Sequence, residues 1–195
     1  MDKDKLKTVL LIGDSIRMGY CNTVREELKG NAETVFPVEN CRNSQYIIAS
    51  LDRWKSLCEP ENVAVVHFNC GHWDIAHFGK DEESLTSICE YKRNINQIIR
   101  RLKAVYKNAE IIFSTTTTVD ENAPVGINHR TNNEIKAYNT AAAGVCLSAD
   151  VCINDLYSIS KSFNSSLYVD FCHFTAEGYS ILGKATAEFI LNYIR

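Results

Sequence analysis

Only three of the 195 residues are proline and nine are glycine, too few for a collagen-like or proline-rich disordered chain. Neither charge sign dominates. Twenty-one Lys+Arg against 24 Asp+Glu leave a formal net charge of −3, without the basic excess that a nucleic-acid or anionic-membrane binder needs. No apolar run is long enough to cross a bilayer. The N-terminus, Met1-Asp2-Lys3-Asp4-Lys5, carries acidic residues among its lysines and precedes only a short apolar run, which does not read as a secretory leader. The eight cysteines contain no pair closer than six residues, so CxxC redox motifs and zinc-ribbon spacings are excluded. They read instead as small, reduced core residues of a cytoplasmic protein. The length suits one domain over residues 1–195, large enough to bury a core without a disulfide or metal staple.

Short apolar runs alternate with amphipathic stretches. Thr8–Ile12, Glu33–Val38, Val63–Phe68, Ala109–Ser114 and Val151–Asn154 read as strands. Helices are expected over Ile16–Lys29, Ser44–Leu57, Ser84–Tyr106, Asn132–Ser148 and Thr175–Ile194. Alternating strands and helices predict right-handed crossovers and a mainly parallel five-stranded sheet covered on both faces. In such sheets ligands bind beyond the carboxyl ends of the strands. That places Gly13-Asp14-Ser15, Asn40-Cys41-Arg42-Asn43, Asn69 to Asp74 and Ser114 to Thr118 at one edge.

Ser15 stands where a strand gives way to a helix, so its hydroxyl lies at the sheet edge and its N–H at a helix N-terminus, where negative charge is favoured. Both features suit a nucleophile whose attack creates an oxyanion, although Asp14 or Ser15 as a simple cap accounts for the same pattern. A serine needs a base, and there are five histidines. His173 follows Asp170 by three residues just before the last helix, a spacing that lets the carboxylate reach Nδ1 and leaves Nε2 for a serine proton. His67 reads as a core histidine within a strand, and His129 as a solvated loop residue. His72 and His77 flank the expected site mouth, where Trp73, His77 and Phe78 form an aromatic cluster.

Gly13-Asp14-Ser15-Ile16 after the first strand, a Gly71/Asp74 segment after the third and Asp170-x-x-His173 before the last helix together resemble the SGNH/GDSL hydrolase family, in order and across nearly the whole chain. The resemblance implies a three-layer αβα sandwich of flavodoxin-like topology and a serine esterase. In it Ser15 is the nucleophile, His173 the general base and acid, and Asp170 its orienting carboxylate. No metal or organic cofactor is called for, because nucleophile, base and oxyanion donors are all protein groups.

Two of the family's signature positions differ here. The second block, which usually offers a glycine N–H to the oxyanion beside that of the nucleophile, reads Val38-Glu39-Asn40-Cys41-Arg42-Asn43-Ser44, so Cys41 becomes the expected backbone donor. The third block normally reads Gly-x-Asn-Asp, and this chain has Gly71-His72-Trp73-Asp74. Asn69 is expected to supply the missing amide, with the His72 or Trp73 ring N–H as the alternative and strand capping as the bland role for Asn69. Losing such a donor costs about 10²–10³ in rate. Asp74 is expected to order its own loop and Asp14 to pack beside the nucleophile turn. Arg17 and Arg42 are placed at the mouth, where they hold a substrate group or pair on the surface, and Gly71, His72 and Trp73 border the substrate. The expected substrate is a small-molecule ester, an acetyl ester of a carbohydrate foremost, with neither nucleic acid nor membrane as partner. A lysophospholipase or thioesterase of the same fold and a non-catalytic carbohydrate-binding relative are the alternatives.

Overall fold

A computed structural model describes residues 6–194; the N-terminal run Met1–Lys5 lies outside the described residues. In chain order the elements are β1 (Lys7–Ile12), α1 (Ser15–Glu27), β2 (Ala32–Val35), α2 (Ser44–Trp54), β3 (Val63–Phe68), α3 (His72–Ile75) and β4 (His77–Phe78). They continue with α4 (Ile88–Val105), β5 (Glu110–Ser114), β6 (Asn128–His129), α5 (Asn132–Ser148), β7 (Cys152–Asn154), α6 (Leu156–Ser160) and α7 (Ala176–Leu191). Five strands form one sheet in the order β2-β1-β3-β5-β7, every neighbouring pair parallel. This is the flavodoxin-like order, whose reversal between β1 and β3 opens a crevice at the strand carboxyl ends.

Period-two alternation explains how one apolar run builds two cores. Leu10 and Ile12 of β1, Val66 and Phe68 of β3, and Ile111 and Phe113 of β5 pack with Ile47 and Leu51 of α2, Ile95 and Ile98 of α4, and Ile135 and Ala142 of α5. The intervening Val9, Leu11, Val65 and Ile112 face Ile16, Tyr20 and Val24 of α1 and Leu182, Ala187 and Ile190 of α7. Each fully buried aliphatic side chain is worth about 1.5–3 kcal/mol, so both layers are held by burial and neither needs a cross-link. His67 takes its turn in the same alternation. It is fully buried, its Nε2 lies 3.1 Å from Asn154 Nδ2, and burial pushes its pKa down to about 3, which keeps it a neutral core group.

The expected strands and long helices are present with shifted ends. The fourth helix begins at Ile88 rather than Ser84, because Ser87 caps it by accepting from the Glu90 N–H. Thr131 and Glu134 close a reciprocal capping box at the start of α5. Beyond β3 the chain forms two features that the alternating pattern does not announce, the single turn α3 and a two-stranded antiparallel ribbon, β4 on β6.

Candidate active site

β1 ends at Ile12 and the chain turns at Gly13-Asp14 into α1. Asp14 is the N-cap, its Oδ1 accepting from the Ile16 N–H at 3.0 Å, so Ser15 becomes the first helical residue. A side chain on Gly13 is impossible without rearrangement, since a Cβ there would stand 1.9 Å from Asn69 Oδ1 and 2.7 Å from Arg17 Cβ. The Ser15 N–H, one of the orphan donors of a helix start, meets no acceptor among the described residues.

The turn before α7 carries the histidine to this point from 158 residues away. An antiparallel bridge between Tyr168 and Phe174 pins its ends. Asp170 Oδ1 accepts the N–H groups of Cys172 and His173, both at 2.8 Å. Asp170 Oδ2 lies 2.7 Å from His173 Nδ1, and His173 Nε2 lies 2.8 Å from Ser15 Oγ. Partial burial alone would raise the Asp170 pKa. The Cys172 N–H, the His173 imidazole and the His173 N–H outweigh it and hold the carboxyl down to about 2. An ionised carboxylate accepts only, so Nδ1 carries its proton and Nε2 presents a lone pair to the serine O–H. The line can therefore pass a proton from Ser15 to His173 while Asp170 stabilises the resulting imidazolium.

Both residues expected as oxyanion donors bond the turn that carries Ser15. The Cys41 N–H donates to the Gly13 carbonyl at 3.0 Å and is committed beneath the nucleophile turn. Asn69 gives its amide to Asp14 Oδ1 at 2.9 Å, so it braces the cap; the Asn69 carbonyl oxygen is buried without a partner. Burial raises the Asp14 pKa against the opposing pull of Asn69, the Ile16 N–H, Arg130 and Arg17. Arg17 is not at the mouth. It is 1% exposed and spends its guanidinium on the carbonyls of Pro37 at 3.0 Å, Gly13 at 3.1 Å and Glu39 at 2.6 Å, tying the loop after β2 to the start of α1. Arg42 is exposed, in a left-handed conformation with φ 51°, its guanidinium 4.9 Å from the Tyr46 ring centroid.

The third segment follows β3 and is organised by Asp74. Its carboxylate accepts the Ser44 N–H at 3.0 Å and the Ser44 hydroxyl at 2.5 Å, which fastens α3 to the start of α2. Burial raises its pKa to about 6 against these bonds. Gly71 has φ 148°, and a Cβ on it would meet Thr116 Oγ1 at 2.0 Å. Thr116 in turn donates to the Cys70 carbonyl at 3.2 Å, and Asn139 clamps the Thr116 backbone on both sides at 2.8 and 2.9 Å. His72 is buried with Nε2 3.0 Å from Thr117 Oγ1, and burial, with Arg130 and His173 nearby, holds its pKa well below the usual range. Trp73 is half-buried, 6.4 Å from the Phe78 ring. His77 is withdrawn from any ligand by Glu134 Oε1 at 2.6 Å and by stacking on His129 at 5.0 Å. Sequence reasoning missed Arg130, which bonds the His72 carbonyl and lies 3.6 Å from Cys172 Sγ through Nη2. A lone arginine ahead of a helix carries no signal of its own.

A parallel sheet that presents serine, histidine and aspartate in one hydrogen-bonded line at its carboxyl edge defines a serine acyl hydrolase. Residues 11–181 match the GDSL-like lipase/acylhydrolase family, and the chain belongs to it. A search of curated protein sequences returned no match. Among solved structures, a lipase/acylhydrolase from Enterococcus faecalis is 18% identical, with a TM-score of 0.76 over 97% of this chain and 98% of that one. A GDSL-like lipase from Bacteroides thetaiotaomicron is 17% identical, with a TM-score of 0.71 over 95% and 88%. An acetyl xylan esterase is 16% identical, with a TM-score of 0.73 over 94% and 98%. At these identities the likeness is one of fold.

Proposed function

We propose that this chain, acting as one domain, hydrolyses short acyl esters, acetyl foremost, on a hydroxylated alcohol such as a carbohydrate. Ser15 is the nucleophile, His173 the general base and acid, and Asp170 the group that fixes the imidazole. The observation that carries the reading is the unbroken line from Ser15 Oγ through both nitrogens of His173 to Asp170 Oδ2. Ser15 Oγ attacks the ester carbonyl as its proton passes to Nε2, and the oxyanion faces the free Ser15 N–H. Collapse expels the alcohol, which takes the proton from Nε2. Water then attacks the acyl-enzyme, giving a proton to Nε2, and as this second intermediate collapses Nε2 returns the proton to Ser15 Oγ and the acid leaves. The half-buried Trp73–Phe78 pair in the segment after β3 supports a sugar-like alcohol, and one structural neighbour is an acetyl xylan esterase. Eight free cysteines, five of them buried, fit a reducing, cytoplasmic compartment; no described helix is long and apolar enough to cross a membrane.

A longer-chain acylhydrolase is favoured by a different observation. Val169, next to Asp170 in the turn that carries His173, is 67% exposed, an apolar side chain that an acyl chain longer than acetyl could cover. A p-nitrophenyl ester series from acetyl to decanoyl, joined by acetylated sugars and run beside Ser15→Ala, separates the readings. The expected optimum is acetyl, with hydrolysis lost in Ser15→Ala. An optimum at eight carbons or more selects the longer-chain enzyme, and equal hydrolysis by both chains removes the catalytic reading.

A further inference from the structure

Arg130 lies between β6 and α5 and is only 6% exposed, yet no described carboxylate comes within ion-pair reach of it. Its guanidinium covers the face of Phe171, with Cζ 4.9 Å from the ring centroid. One arm donates to the His72 carbonyl, the other points at Cys172 Sγ from 3.6 Å, and Nε has no partner. Burying a guanidinium costs several kcal/mol of desolvation, which a carbonyl, a ring face and a thiol without a directly paired carboxylate repay only in part. Stability alone therefore does not explain an arginine at this position.

What the two arms join supplies the explanation. His72 opens α3, and its ring is fixed on Thr117. Cys172 stands inside the Asp170–His173 turn. Its N–H bonds Asp170 Oδ1, and its sulfur lies 3.6 Å from His173 Nδ1. One thiol separates the guanidinium from the imidazole, so the fork reaches from the segment after β3 to the turn that carries the base. We propose that Arg130 is a positioning residue for the reaction, its planar fork setting the Asp170–His173 turn at the correct distance from α3 and hence His173 Nε2 from Ser15 Oγ. Misplacing a reacting group by 1 Å costs about 10²-fold, and lysine, with a single compact ammonium, cannot replace a planar two-armed contact.

The inference rests on Ser15 and His173 acting as proposed above, so the test reads that activation directly. An alkyl fluorophosphonate, which phosphonylates an activated serine with loss of fluoride, is reacted with wild-type, Arg130→Gln, Arg130→Lys and Ser15→Ala chains and followed by intact mass. The values of kcat and KM on p-nitrophenyl acetate and the thermal midpoint are measured alongside. Both Arg130 variants are expected to label about 10- to 100-fold more slowly than wild type and to lose kcat in the same ratio, with KM changed less than about threefold. A folded Arg130→Gln or Arg130→Lys that labels at the wild-type rate overturns the proposal, as does a loss confined to KM. Where Gln fails to fold, Lys, which keeps the charge and stem, decides alone. A wild-type chain that labels no faster than Ser15→Ala instead sinks the Ser15 reading, and this proposal with it.

Discussion

Replacing Asp74 by asparagine tests whether a buried carboxylate fastens the segment after β3. Asp74 is fully buried and takes both the N–H and the hydroxyl of Ser44, whose oxygen accepts from Asn94 Nδ2 at 2.9 Å. Those bonds do not repay the loss of solvation, and the pKa rises from 3.8 to about 6. The folded chain therefore binds this proton more tightly than the unfolded chain, so stability is greatest below about 3.8 and falls as pH rises through about 6. A displacement of that size corresponds to about 3 kcal/mol. Asparagine keeps the shape and one acceptor but does not titrate. Urea unfolding of both chains between pH 4 and 7.5 gives the difference in stability at each pH. Wild type should gain on Asp74→Asn by about 2.4 kcal/mol on going from pH 7.5 to 4, the rest of the displacement lying below pH 4, with the other titrating groups common to both chains and so subtracted. A difference flat to within about 0.5 kcal/mol would refute the reasoning, because a solvated or fully compensated Asp74 gives no slope.

Asp170 behaves in the opposite sense: its folded pKa is depressed to about 2, so the stability it lends is present above about 3.8 and is lost as pH falls toward 2. In catalysis Asp170→Asn presents an amide to His173 Nδ1 and favours the wrong tautomer, so kcat on p-nitrophenyl acetate should fall by roughly 10⁴ at neutral pH with the fold retained; a fall under tenfold would contradict the assigned role. Gly71→Ala forces a Cβ to within 2.0 Å of Thr116 Oγ1 at a φ of 148°. It should cost about 2 kcal/mol or more, read as a drop of about 5 °C in thermal midpoint, and a midpoint within 1 °C of wild type would show that the turn relaxes freely.

The sheet was legible because β1, β3 and β5 are apolar on both faces, and a run such as Val63 to Phe68 has few other solutions. The places of Ser15 and His173 were legible because both sit at element junctions where local rules operate: a cap ahead of α1, and an Asp-x-x-His turn whose bonds are all within three residues. Arg17 was not, because its burial follows from the carbonyls of Pro37 and Glu39, and nothing local tells where the loop after β2 will lie. Asn69 and Cys41 misled for a related reason. Their types and places suit oxyanion donors, but the single Cys41 N–H is taken by the Gly13 carbonyl and one of the two Asn69 amide N–H groups by Asp14. The β4–β6 ribbon, two residues on each strand, is too short to leave a period.

Those misplaced donors bear on how fast the site can be. Around Ser15 three loops are tied by buried hydrogen bonds: the loop after β2 through Arg17 to the Gly13 carbonyl, the turn after β1 through the Cys41 N–H to Gly13 and the Asn69 amide to Asp14, and the segment after β3 through Asp74 to Ser44. The Cys41 N–H and one Asn69 N–H, both candidates for meeting an oxyanion, are used here to hold the Ser15 turn still. The Ser15 N–H at the start of α1 is left free, and two buried guanidinium groups, Arg17 and Arg130, act electrostatically on the buried Asp14 beneath it. Negative charge developing on the ester oxygen would then be met by the Ser15 N–H and the helix start, without the Cys41 N–H. Each missing donor is worth about 10²–10³ in rate, so the protein should be a slow esterase on unactivated esters. Activated p-nitrophenyl esters, whose leaving group asks less of the oxyanion, should be its fastest substrates.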